Sequence, residues 1–237
     1  MLPGAGNSHG LEYLCGMKGT GIEKIRRSLL GGAIGGAIFI VVFIAEGWNR
    51  NGYSAWRFPV SSLSIGPLGW IQQLNFILCG FLFLRGGWAL DKLTQSSHGS
   101  KGGPRFIGLV GIGLIGAGFF NTDGVYGYPA GPMLLAQVSW HGHLHDLFSM
   151  FVFIGLPASC FVYAGIFRKE SKHAWAAFAY FSLIAIPLAF IFASLGFKQV
   201  QGFAGWAGCW QRITIVLGWL WLALLWLHYR ATLPRSG

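Results

Sequence analysis

The hexapeptide HGHLHD at residues 141–146 places three histidines and an aspartate at the start of a long apolar run. If that run is helical, His141 and His145 are four residues apart and stack on one face. This is the spacing by which one helix offers two ligands to a metal. A third ligand has to come from elsewhere, and Asp123 in NTDGVYGYPAGP is the candidate. Zinc or another divalent metal held by His141, His145 and Asp123 would lower the pKa of a bound water. Asp146, about 100° round the helix from His145, would then orient a ligating imidazole. His143 points to the opposite side. The same residues support two further readings. One is an interfacial polar cap, because a helix N-terminus favours negative charge. The other is proton transfer or substrate binding without metal.

Other polar groups fall at corresponding depths of the chain. Glu46 lies at the end of the first apolar run, and an ionisable residue in a span calls for a named partner. Arg50, four residues on, is the simplest, and Arg57 is the alternative. Ser61, Ser62 and Ser64 in PVSSLSIG precede the second run. A Ser nucleophile beside His and Asp is conceivable chemistry. There is no G-x-S-x-G elbow here, and serines before a helix usually serve as turn or cap residues. Gln72, Gln73 and Asn75 open the second run, and Gln211 and Arg212 open the last. If runs one, two, four and six adjoin, these groups line one polar chamber. Haem held between facing helices is not expected, since the outer histidines all come from one helix. P-loops and CxxC pairs are absent.

The elements that must position these residues are apolar spans. Of 237 residues, 54% are hydrophobic and 10% charged, and the mean hydropathy is +0.54, against about 25% charged residues in a soluble domain. Crossing the hydrocarbon core takes about 20 mostly apolar residues. Six runs qualify: about Leu29 to Trp48, Pro67 to Leu90, Phe106 to Phe120, Trp140 to Phe167, Ala174 to Phe197 and Ala207 to Leu227. The fold class is therefore all-α, an integral membrane bundle of six transmembrane helices over residues 28–229. An unstructured tail at 1–27 and a short tail at 230–237 flank it. Residues 1–16 are expected to add nothing to the fold, and Met17 is an equally good start. The first span is too long for a removable signal peptide.

Net charge is +10, yet thirteen of the seventeen basic residues precede span one, flank the loop between spans two and three, lie between spans four and five, or follow span six. The charge follows topology rather than forming a patch, so a nucleic-acid partner is excluded. The positive-inside rule puts both termini in the cytoplasm of a cell whose inner membrane holds the chain. The loops on the other side are rich in aromatics, Gly and Pro and are expected to pack as a lid. Gly31/Gly35, Gly32/Gly36 and the glycines of span three are expected to allow close helix approach. Pro157 and Pro187 are expected to kink their helices. Cys79 and Cys160 read as packing residues, Cys15 and Cys209 have no obvious partners, and no internal repeat suggests a transporter.

The segments FPVSSLSIGPLGWIQQLNF, NTDGVYGYP, HGHLHDLFSMFVFIGLPASCFV and QRITIVLGWLWLALL together resemble the bacterial membrane family catalogued as domain of unknown function 998. The resemblance covers about Leu29 to Leu227. It implies a six-helix membrane protein and no activity. The family's Thr-Asp, Gly-Tyr-Pro and His-Gly-x-x-His-Asp fall on Thr122, Asp123, Gly127, Tyr128, Pro129, His141, Gly142, His145 and Asp146. Asn121 and Gly124 stand where prolines are common, and His143 is an additional histidine. A more distant likeness, in residue types, is to zinc-dependent membrane hydrolases such as the alkaline ceramidases, which have seven spans.

The expected site is thus an outward, aromatic-lidded pocket built from Glu46, Arg57, Ser61, Ser62, Asp123, His141, His145, Asp146, Gln211 and Arg212. It would bind a small molecule or lipid headgroup, or dock another membrane protein. The alternative is a metal-dependent hydrolase acting on lipid at the outer leaflet.

Overall fold

A computed structural model describes residues 19–94, 101–125, 127–129 and 138–234. Six α-helices account for most of them: α1 (Gly19–Asn49), α2 (Gly69–Thr94), α3 (Gly102–Phe119), α4 (Trp140–Lys169), α5 (His173–Phe197) and α6 (Ala207–Ala231). Each is long and apolar enough to cross a membrane. Short 3₁₀ turns at Val60–Ser64 and Ala204–Trp206 sit in two of the loops. With six antiparallel passes, the start of α1, the end of α2, the start of α3, the 170–172 connection and the end of α6 share one face, here the terminal face. The loops 50–68 and 198–206 and the described residues of the α3–α4 connection (120–125, 127–129 and 138–139) share the other, the loop face.

One boundary differs from the sequence expectation. Residues 19–27, expected within an unstructured tail, are the first turns of α1. Glu23 pairs with Arg27 at 2.8 Å and with Arg26 at 3.7 Å, and Ile25 is fully buried. Charge pairing four residues apart and one buried apolar residue together hold these turns helical. Arg26 also donates to the Pro234 carbonyl, and Leu233 is buried, so the end of α6 packs against the start of α1. Residues 1–18, which include Cys15 and the alternative start, lie outside the described residues.

Each helix packs against its neighbours in chain order, and α6 returns to α1, closing a ring. Glycine placement shows how. On α1, Gly35 approaches Leu82 of α2, while Gly32 and Gly36 approach Trp226 and Trp219 of α6. The two glycine ridges therefore serve two different neighbours, and α1 is a wedge between them. On α3, Gly111 and Gly118 approach α2, whereas Gly113 and Gly116 approach α4. A β-carbon on Gly108 would meet no other atom within 4 Å, so neither ridge needs a glycine there. Small residues let helices approach closely where lipid supplies no hydrophobic drive.

Large aromatics from α6 fill the ring. Trp226 lies between Gly32 of α1 and Gly86 of α2, with the Phe83 ring centroid 4.9 Å away. Trp219 packs on Phe39 and Phe83. Trp221 donates from Nε1 to Ser159 Oγ of α4 at 3.0 Å. Helices α4 and α5 run unbroken through Pro157 and Pro187. Cys79 and Cys160 are buried, and Cys209 is partly buried and free.

Candidate functional site

The loop face carries the polar residues, in two clusters. The first joins α3 to α4. Helix α3 stops at Phe119, leaving carbonyls of its last turn without helical partners. His145, 2% exposed, places Nδ1 2.9 Å from the Ala117 carbonyl and 2.8 Å from that of Phe120. Both partners accept, so Nδ1 carries the proton and donates to them. A histidine of α4 thereby caps α3.

The reverse cap comes from Asp123. Its Oδ2 accepts from the Ser139 backbone N–H and its Oδ1 from the Ser139 hydroxyl, both at 2.7 Å. Ser139 is the N-cap of α4 and accepts from the Gly142 N–H at 3.0 Å. The first orphan donors of α4 are thus satisfied by a serine that is itself held by a carboxylate. Gly142 is required here by space rather than by dihedral angle. A β-carbon on it would overlap the Asp123 carboxylate, at 2.6 Å from Cγ. The Asp, Gly, His and Ser of this segment form a reciprocal clasp between two helix ends.

The remaining members of the hexapeptide point elsewhere. His141 is exposed and lies against Trp140 (centroids 3.6 Å apart) and Phe120 (6.1 Å). His143 and Asp146 are exposed. Among the described residues, no three His, Cys, Asp or Glu side chains gather where they could hold a metal ion. His145 and Asp123 serve as caps of α3 and α4, and among the described residues they are not gathered with His141 into a group that could hold a metal ion.

The second cluster ties the 50–68 loop to α1, α2 and α6. Arg50 bonds Glu46 at 2.9 Å and also donates to the Ile65 and Leu63 carbonyls at 2.7 and 3.1 Å. Glu46 and Arg50 side chains are only 8% and 12% exposed. Arg57 is exposed and takes no part in that pair; its guanidinium lies 5.8 Å from the Phe58 ring. Arg212 spans the gap from α6. One of its nitrogens donates to the Ala55, Phe58 and Gly208 carbonyls at 2.6, 3.0 and 2.9 Å, and the other donates to the Tyr53 oxygen. Tyr53 donates onward to the Pro59 carbonyl at 3.0 Å. Burial pushes its phenol above the usual range, against the opposing pull of Arg212. Gln211 accepts from the Val60 N–H at 2.8 Å.

Three buried polar atoms in this second cluster have no partner: Glu46 Oε2, Ser62 Oγ and Gln72 Nε2. Ser62 and Gln72 are fully buried. Gln72 uses its other end to accept from Asn75, which also donates to the Phe39 carbonyl. Ser61 gives only its carbonyl, to Ser64. A buried polar group left unpaired costs about 1–3 kcal/mol.

The expected single chamber is therefore two clusters. Phe76 of α2 touches both sides, 6.1 Å from His145 and 5.3 Å from Phe39. Tyr128 forms part of the expected aromatic lid, packing on Tyr53 and Phe58. The stretch 130–137 lies outside the described residues. Sequence reasoning missed Ser139, Tyr53 and the wrapping of Arg50. Ser139 carried a usable signal, a cap-type residue immediately before an apolar run. Tyr53 carried none.

No curated protein and no solved structure matches this chain. A family model, described as "Protein of unknown function (DUF998)", matches residues 33–228, from within α1 to the last turn of α6. The chain, a six-helix multi-pass membrane protein, belongs to that family.

Proposed function

We propose that the cluster beneath the 50–68 loop binds a small polar molecule or a lipid headgroup at the outer side of a bacterial inner membrane. The carrying observation is the trio of unpartnered buried atoms, Glu46 Oε2, Ser62 Oγ and Gln72 Nε2. They offer an acceptor, a hydroxyl and an amide donor, a complement for a ligand bearing hydroxyl or amine groups. Retaining unsatisfied polar groups in a core is a cost that a bound ligand offsets. The outward assignment follows from the basic residues concentrated at the terminal face.

The test pairs ligand content with stability. The full chain is purified in mild detergent and its bound small molecules and lipids are identified by mass spectrometry, beside Glu46→Gln, Ser62→Ala and Gln72→Leu. A binding site predicts loss of a co-purifying ligand in all three, with the ligand-free stability of Ser62→Ala equal to or above that of the parent, because there only an orphaned group is removed. Loss of stability in all three variants with no ligand in the parent would make the trio structural and end the proposal. Docking of another membrane protein is a second reading, favoured by Trp48, Trp56 and Trp206, which are 88%, 58% and 55% exposed on this face. It predicts that a protein, rather than a small molecule, leaves with Trp56→Ala.

A further inference from the structure

The opposite face carries a second feature, a groove of about 350 Å³ between α1 and α2 near the chain ends. Two cations from different helices line it, Lys24 of α1 and Arg85 of α2, together with Ser28, Phe81, Leu84 and Trp88. Both cations are exposed, and neither has an acidic partner among the described residues. They are nonetheless held in place. The Lys24 ammonium lies 5.2 Å from the Trp88 ring centroid, and Arg85 donates to the Ser28 hydroxyl at 3.4 Å.

Depth decides what such a groove suits. Arg85 is nine residues inside the end of α2, about 13 Å along the helix at 1.5 Å per residue. Its charge therefore starts within the apolar part of the span and reaches outward along its stem. An ionisable group there is stabilised by an anion supplied at the interface. On the apolar side of the two charges are Phe81, 53% exposed, and Leu84. Trp88, nearer the terminal face than Arg85, borders the groove on its outer side, and indoles favour the membrane interface. A soluble anion would use the charges alone. The apolar wall continuing below them fits an acyl chain attached to the anion.

We infer that the Lys24–Arg85 groove is a binding site for an anionic glycerophospholipid of the leaflet at the terminal face. Its phosphodiester lies between the two cations, and one acyl chain runs along Phe81 and Leu84. The inference is independent of the loop-face proposal and uses none of its residues.

Native mass spectrometry of the full chain in detergent tests it, with phosphatidylglycerol, phosphatidylcholine and inorganic phosphate as probes. Phosphatidylglycerol is expected to bind about tenfold more tightly than phosphatidylcholine, and millimolar phosphate is expected not to displace it. Lys24→Gln should weaken phosphatidylglycerol roughly fivefold, and Lys24→Gln with Arg85→Gln roughly 25-fold. Arg105→Gln, an exposed cation on α3 at the same face, should change little. Trp88→Ala should weaken binding with the charge unchanged. Lys24 is exposed, so its single variant folds even if the double variant does not. Equal binding of the two lipids, equal losses in Lys24→Gln and Arg105→Gln, or displacement by free phosphate would each overturn the inference.

Discussion

Gly142→Ala should destabilise the protein when Asp123 is present and stabilise it when Asp123 is Ala. In the parent, a methyl group on residue 142 overlaps the Asp123 carboxylate, so the carboxylate must swing off Ser139. Two hydrogen bonds of 2.7 Å to a charged acceptor are then lost, each contributing about 1.5 kcal/mol at the low end for a partly buried site. Against about 3 kcal/mol lost, alanine returns up to about 1 kcal/mol over glycine in a helix. The net cost is about 2 kcal/mol. In Asp123→Ala the obstructing atoms are gone, since everything else around the new methyl lies at 3.3 Å or beyond. The same substitution then contributes about 0.5–1 kcal/mol of stability. The coupling between the two positions is therefore about 3 kcal/mol, far above the ~0.5 kcal/mol expected of independent sites. The assay is equilibrium unfolding of all four proteins by SDS titration in mixed micelles, followed by tryptophan fluorescence. Equal effects of Gly142→Ala in the two backgrounds would refute the clasp.

Other perturbations reach other parts of the molecule. Gly86→Ala brings a β-carbon to 2.6 Å from the Trp226 ring and should cost about 1–3 kcal/mol through overpacking, with partial recovery when combined with Trp226→Phe, by the same titration. Trp221→Phe removes the bond to Ser159, which still donates to the Leu156 carbonyl at 2.7 Å, so a loss of about 1 kcal/mol is expected. Arg212→Lys abandons a fork serving three carbonyls and Tyr53. A lysine cannot reproduce that fork, and limited proteolysis within 50–68 should accelerate about tenfold or more. The Tyr53 phenol is raised by burial, so folding favours its neutral form. Its contribution is complete below the ordinary tyrosine value of about 10 and is lost as pH rises above it; stability above pH 10 should fall less steeply in Tyr53→Phe.

Span number and position were legible because hydropathy in lipid is a strong signal, and each run found its helix. The N-terminal limit of α1 was not, because residues 19–27 are polar by composition. They are helical through a Glu–Arg pair and one buried isoleucine that a hydropathy window averages away. The chemistry-bearing residues were found by type, but their pairing was not. His145 and Asp123 look like ligands in one dimension, and only the return of α4 against the end of α3 shows them capping helix ends. Glu46 and Arg50 could be paired from sequence because four residues on a helix suffice. Arg212 could not be paired with the loop, since its partners there lie more than 150 residues away along the chain.

The closed ring has a consequence for biogenesis. Helix α1 is synthesised before α6, yet one of its two glycine ridges is filled only by indoles of α6. The ring can close only once α6 has been made, as the docking of one helix into a groove that earlier spans have formed. A gene split in the 198–206 loop should yield two fragments that insert separately and reunite in the bilayer, with Trp219 and Trp226 as the recognition surface.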